Sequence, residues 1–86
     1  MQVIYSKQFR KALARLRPAQ LASIEDAVEN YKENRTNPVL RDHALKGKMK
    51  DLRAFSAGHD LRVIYREEGG FITIILLDAG THNQVY

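Results

Sequence analysis

The 86-residue chain has no cysteine and no tryptophan, only two prolines and five glycines, and no acidic residue before position 25. Without cysteine there is no disulfide framework, no thiolate zinc site and no thiol nucleophile, so a reducing compartment, the cytoplasm by default, is expected. The scarcity of proline and glycine, beside an apolar share of 44% and a charged share of 28%, argues for a folded chain. Long hydrophobic runs are missing too. Ile74 to Leu77 is the longest, far below the ~18 residues of a membrane span, and MQVIYSKQFRKALARLR lacks the apolar centre of a leader peptide, so a soluble, unprocessed chain with no membrane partner is expected. The length suits one domain, residues 1–86.

The charge is uneven. Residues 1–24 carry Lys7, Arg10, Lys11, Arg15 and Arg17 with no acid, and residues 41–66 carry seven cations against Asp42, Asp51 and Asp60. Acids collect instead in residues 25–33, and the net charge is +4. Such clustering suits a polyanion, nucleic acid or an acidic protein segment, because neutralised phosphates release counterions. A solvated basic face explains the charge alone equally well.

Gln2 to Tyr5 reads as a strand, with Ser6 capping a helix from Lys7 to Leu16 whose apolar stripe is Phe9, Ala12, Leu13 and Leu16. Pro18 suits the first turn of a second helix, to about Glu33, with Leu21, Ile24, Val28 and Tyr31 on one face. After the turn-rich NRTNPVL the period changes to two, giving strands at Leu52 to Ser56, Leu61 to Arg66 and Phe71 to Leu77, the last two joined by EEGG. The last strand is apolar on both faces and belongs in the middle of a sheet. The expected fold is α+β, in the order β-α-α-β-β-β, an antiparallel-rich sheet with the N-terminal helical hairpin packed on one face.

The residues able to do chemistry sit beside these strands. Metal-free RNA cleavage needs a base for the 2′-hydroxyl, an acid for the departing 5′-oxygen and cations around the phosphate. His43, His59, Asp60, His82 and Tyr86 are candidate proton-transfer groups, and Lys48, Lys50, Arg53 and Arg62 can hold phosphate. Tyr86 can alternatively stack on a base. No HExxH-like spacing accompanies the absent cysteines, so no metal site is expected. Arg62 lies on the opposite strand face from Leu61, Val63 and Tyr65, hence on the open side if those three meet the helices. Gly80 is expected to let the chain turn back, bringing His82 and Tyr86 to that side; the alternative is an ordinary turn with Tyr86 closing the core.

SKQFRKALARL, DHALKG, LRAF, HDLRVIYR and GTHNQVY together resemble the RelE/ParE superfamily of toxins from type II toxin–antitoxin pairs, in particular its YafQ-like branch. The resemblance spans nearly the whole chain, and DHALKG and GTH with a terminal aromatic are its more specific parts. It implies a toxin that enters the ribosomal A site and cuts mRNA as a metal-independent endoribonuclease without cofactors, and an antitoxin protein that silences it. By the same resemblance the DHxLxG histidine falls on His43, the strand acid on Asp60, the GTH histidine on His82, the terminal aromatic on Tyr86 and the strand arginine on Arg62. A further histidine of that branch lands on Ser56, while His59 stands directly before Asp60, and a tryptophan after the acid is replaced by Leu61. The alternative within the superfamily is a ParE-like inhibitor of DNA gyrase with no chemistry of its own.

Overall fold

The computed structural model describes residues 1–86. Its elements are β1 (Gln2–Tyr5), α1 (Lys7–Ala14), α2 (Pro18–Glu33), β2 (His43–Ala44), β3 (Arg53–Ser56), β4 (Leu61–Glu68), β5 (Thr73–Thr81) and α3 (His82–Val85), with 3-10 turns at Pro38–Leu40 and Gly47–Met49. The strands form one sheet in the order β1-β5-β4-β3-β2. Only β1 and β5 run parallel; the other pairs are antiparallel. The α+β class and the helical hairpin on one face are as expected. β2 and α3 are additions to the expected order, and both matter below. No helix is long and apolar enough to cross a membrane.

Ser6 starts α1 by accepting the Phe9 N–H at 3.0 Å, satisfying one of the unpaired donors of the first turn. α1 ends two residues earlier than the apolar spacing suggests, because Arg15 and Leu16 turn their N–H groups to carbonyls three residues back, a tightened last turn. At the start of α2, Pro18 forfeits a donor that has no intrahelical partner anyway, and the Gln20 side chain accepts the Arg17 N–H at 3.1 Å.

One side of the sheet is closed by the helices. Phe9, Ile24, Val28 and Tyr31 pack against Phe55, Val63, Tyr65, Ile74 and Leu76, all buried. Tyr31 stacks on Phe55 with ring centres 4.8 Å apart and meets Tyr65 edge-on at 5.1 Å. The other side is open except for a small cluster of Ala54, Ile64 and Val85, with Leu45, Met49 and Leu52 half-buried around it. The alternation of β5 breaks once. Ile64 pairs with Asp78 but Tyr65 with Leu76, so Leu77 is an extra residue in β5, a β-bulge.

Burial raises the phenol pKa of Tyr65, and its hydrogen bond to Asp42 raises it further; burial likewise raises that of Tyr31. Both therefore keep their protons in the folded chain above the ordinary value of 10.0, where an unfolded chain releases them. Stability from this source is complete below that pH and declines as pH rises past it, by up to about 1.4 kcal/mol per pH unit for each phenol. Thermal melts should be level through the mildly alkaline range and fall steeply towards about pH 11. A melting temperature that did not move there would contradict the burial of these two hydroxyls.

Candidate functional site on the open face of the sheet

Cross-strand pairing decides which side chains share the open face. Directly opposed residues point the same way, so the pairs Ser56–Arg62, Ala54–Ile64, Arg62–Gly80 and His43–Ala54 place Arg62, Ser56 and His43 on the side away from the main core. His43 lies two strands across from Ile64, about 10 Å away. Its Nδ1 sits 2.8 Å from the Arg41 carbonyl oxygen. A carbonyl can only accept, so in the neutral ring Nδ1 carries the proton and Nε2 is left as a proton acceptor.

α3 brings in the other half. His82 and Tyr86 meet edge to face with ring centres 4.6 Å apart. Between them Val85 turns inward onto Ala54 and Ile64, and this anchors the short helix to the sheet. The C-terminal tyrosine does not close the core. It is 44% exposed, yet burial of the remainder pushes its phenol above the ordinary value, against the opposing pull of the Arg62 charge. The phenol is thus protonated at neutral pH and available as a hydrogen-bond donor.

The reversal that leads into α3 is not made at Gly80, as the sequence suggested. β5 runs through Gly80 to Thr81, and α3 itself turns the chain. The Gln84 side chain accepts the Thr81 N–H at 2.8 Å, and the Asp60 carbonyl accepts the His82 N–H at 3.0 Å. Gly80 contributes space. A Cβ there would lie 2.6 Å from Gln84 Oε1 and 3.2 Å from Gln84 Cβ.

Asp60 therefore supports the site through its backbone, while the residue itself lines a depression beside α2 together with His59 and Gln20. His59, in a left-handed conformation at φ 44°, contributes a carbonyl: Arg62 Nη1 donates to it at 3.3 Å, to the Leu61 carbonyl at 2.9 Å and to Ser56 Oγ at 3.4 Å. These contacts fix one edge of the guanidinium. Lys48 and Lys50 are exposed on either side of Met49, which packs against the open-face cluster of Ala54, Ile64 and Val85.

Arg53 is the exception among the expected phosphate-binding residues. It pairs with Tyr65 on the helix-covered face, donating from Nε to the Tyr65 hydroxyl at 3.1 Å and from Nη2 to Asp42 at 3.2 Å. The cause is alternation: with Phe55 turned into the core, Arg53 must share its side. Two supports of this arrangement do not come from the side-chain chemistry that the sequence singles out. Thr81-His82-Asn83-Gln84 has the T-x-x-Q spacing of a helix cap, a signal that is present in the sequence, whereas the carbonyls of Asp60 and His59 act through backbone and leave no side-chain signature.

The model of a bacterial toxin family of type II toxin–antitoxin systems, YafQ, matches residues 1–86. Among solved structures, YafQ from E. coli superposes with a TM-score of 0.81 at 19% identity, covering 99% of this chain and 97% of that one. A metal-bound toxin from Helicobacter pylori superposes at 0.73 with 27% identity, covering 100% and 99%. The E. coli DinJ–YafQ complex matches at 0.68 with 21% identity, covering 99% and 97%. No match was found among curated protein sequences. With its whole length matched by that family, this chain belongs to the YafQ toxins of bacterial type II toxin–antitoxin systems.

Proposed function

We propose that the chain is a ribosome-dependent endoribonuclease that cleaves mRNA in the A site by metal-independent acid–base chemistry, and that a cognate antitoxin protein silences it. The observation that carries the reading is the His82–Tyr86 pair, 4.6 Å apart on an open sheet face that also carries Arg62 and His43. An inhibitor without chemistry of its own has no need of that grouping.

In the proposed reaction His43 Nε2 takes the proton of the 2′-hydroxyl. The freed oxygen attacks the adjacent phosphorus, the P–O5′ bond breaks, and His82 returns a proton to the departing oxygen, leaving a 2′,3′-cyclic phosphate. Tyr86, held protonated, donates to a phosphate oxygen, and Arg62, Lys48 and Lys50 offset the charge that builds there. Asp60 sets the position of His82 through the carbonyl that receives its N–H.

Mapping mRNA ends by primer extension on purified programmed ribosomes tests the reading. Cuts confined to the A-site codon, absent with His82→Ala, are expected. Intact mRNA together with inhibition of gyrase supercoiling would replace it with the gyrase-inhibitor alternative. The E. coli relative solved with DinJ supports an antitoxin partner here.

The placement of His82 also depends on the cap. Gln84→Ala and Gly80→Ala should each lower cleavage about fivefold by loosening α3, for a lost cap is worth roughly 1 kcal/mol. Gln84→Glu keeps an acceptor for the Thr81 N–H and should retain most activity. Single-turnover cleavage with ribosomes in excess would read this order, and equal activity of all three would remove the cap from the mechanism.

A further inference from the structure

The open face does not end at Ser56. Beyond it, Pro38, Val39 and Arg41 from one segment and Gly58 and His59 from the β3–β4 loop enclose, with Ser56, a depression of about 550 Å³, room enough for a nucleoside. Its polar members are bonded to the site already described. Arg41 gives its carbonyl to His43 Nδ1, while Ser56 Oγ and the His59 carbonyl both receive Arg62 Nη1. His43 lies opposite Ala54, and Ser56 is two residues further along β3, about 7 Å away.

The side chains here are uncommitted. Arg41 bonds within the chain through its backbone alone, donating its N–H to the Pro38 carbonyl at 3.2 Å and lending its carbonyl to His43; its guanidinium joins no ion pair. Ser56 Oγ accepts the Gly58 N–H and Arg62 Nη1, both at 3.4 Å, so its own proton is free to be donated. Val39, 64% exposed, and Pro38 supply aliphatic surface, and the exposed imidazole of His59 supplies a flat one. Such walls suit the faces of a base, which gain from stacking, whereas a phosphate gains nothing from them.

We propose that the depression receives the base of the nucleotide carrying the attacking 2′-hydroxyl, and that it prefers guanine. The proposal deepens the ribonuclease reading and rests on it. His43 takes the proton of that hydroxyl, so the ribose bearing it stands beside Arg41, and the phosphate on its 3′ side meets Arg62. The base projecting from the same ribose then has the depression within reach. Guanidinium N–H groups only donate. Guanine presents two neighbouring acceptors, O6 and N7, where adenine replaces one of them with a donor.

Two measurements test this. In the first, purified ribosomes are programmed with mRNAs that differ only in the base 5′ to the mapped cut, one of them carrying 7-deazaguanosine, which lacks the N7 acceptor. Guanine should be cut about tenfold faster than adenine, with 7-deazaguanine close to adenine. Arg41→Lys, which keeps the charge but not the paired donors, should bring the guanine-to-adenine ratio near one. The ratio is read within the variant, so any loss of rate through the hold on His43 cancels. An unchanged ratio, or the same loss with every base as a phosphate contact would give, overturns the proposal. The second measurement needs no cleavage and so keeps a failure of the ribonuclease reading apart from a failure of the pocket. Guanosine 3′-monophosphate, titrated into the intact chain, should shift the Val39 methyl resonances saturably and bind at least fivefold more tightly than adenosine 3′-monophosphate. His59→Asn should weaken that binding severalfold, asparagine being at ease in the left-handed backbone of position 59. Equal affinity for the two nucleotides, or undiminished binding by His59→Asn, overturns the base pocket whether or not mRNA is cut.

Discussion

His82→Ala should cut ribosome-dependent mRNA cleavage by about 100- to 10,000-fold, the range associated with losing one positioned proton-transfer group. The fold should survive. His82 is exposed, its N–H bond to Asp60 belongs to the backbone, and the substitution removes only the edge-on packing of its ring against Tyr86. Tyr86→Phe is the companion variant: it keeps the ring against His82 and removes only the hydroxyl, so a smaller loss is expected. Cleavage rates on programmed ribosomes, beside circular dichroism melts, separate catalysis from folding. Wild-type rates with His82→Ala would withdraw the histidine from the chemistry altogether.

The largest effect on stability should come from Asp42→Ala. Its carboxylate joins the segment before β2 to β3 through Arg53 and to β4 through Tyr65. Removing it strands a phenol that is fully buried and a guanidinium whose side chain is only 26% exposed. Orphaning a buried hydroxyl costs about 1–3 kcal/mol, and breaking a fully buried ion pair about 3–5 kcal/mol. Arg53 can still reach water, so about 2–3 kcal/mol in all is the reasonable expectation. Denaturant unfolding should show a lower midpoint with an unchanged slope. Asp42→Asn, which keeps one acceptor, should lose less. A midpoint shift near zero for Asp42→Ala would mean that the three groups do not hold one another. Because His43 follows directly, the same variant should also weaken cleavage.

The helices and β4 were legible because their apolar periods of 3.6 and two run over eight or more residues, while the four-residue β3 and the doubly apolar β5 were marked by residue type and the turn signals beside them. β2 was not: two residues, both exposed, carry no period, and only pairing with β3 makes them a strand. α3 was hidden for a similar reason, being four residues long, although its cap spacing is present in the sequence. The open-face position of Arg62 followed from alternation in LRVIYR. The same rule applied to RAFS would have turned Arg53 inward with Phe55, and charge alone had set it beside the lysines instead. His59 and Asp60 looked like side-chain chemistry because histidine and aspartate are the usual agents of it, yet their clearest contributions here are two carbonyl oxygens.

The extra residue at Leu77 has a consequence for where His82 and Tyr86 emerge. Leu76 and Ala79, three positions apart, both point into the main core, so the strand changes phase by one step between them. Had the two-residue rhythm continued unbroken, Gly80 would have shared the side of Leu76, and the chain would have delivered its histidine and tyrosine beneath the helices. The bulge thus absorbs one leucine and keeps the terminus on its surface: flattening it with Leu77 retained would be expected to invert the last turn, whereas excising Leu77 would leave a regular strand that delivers the turn to the same side.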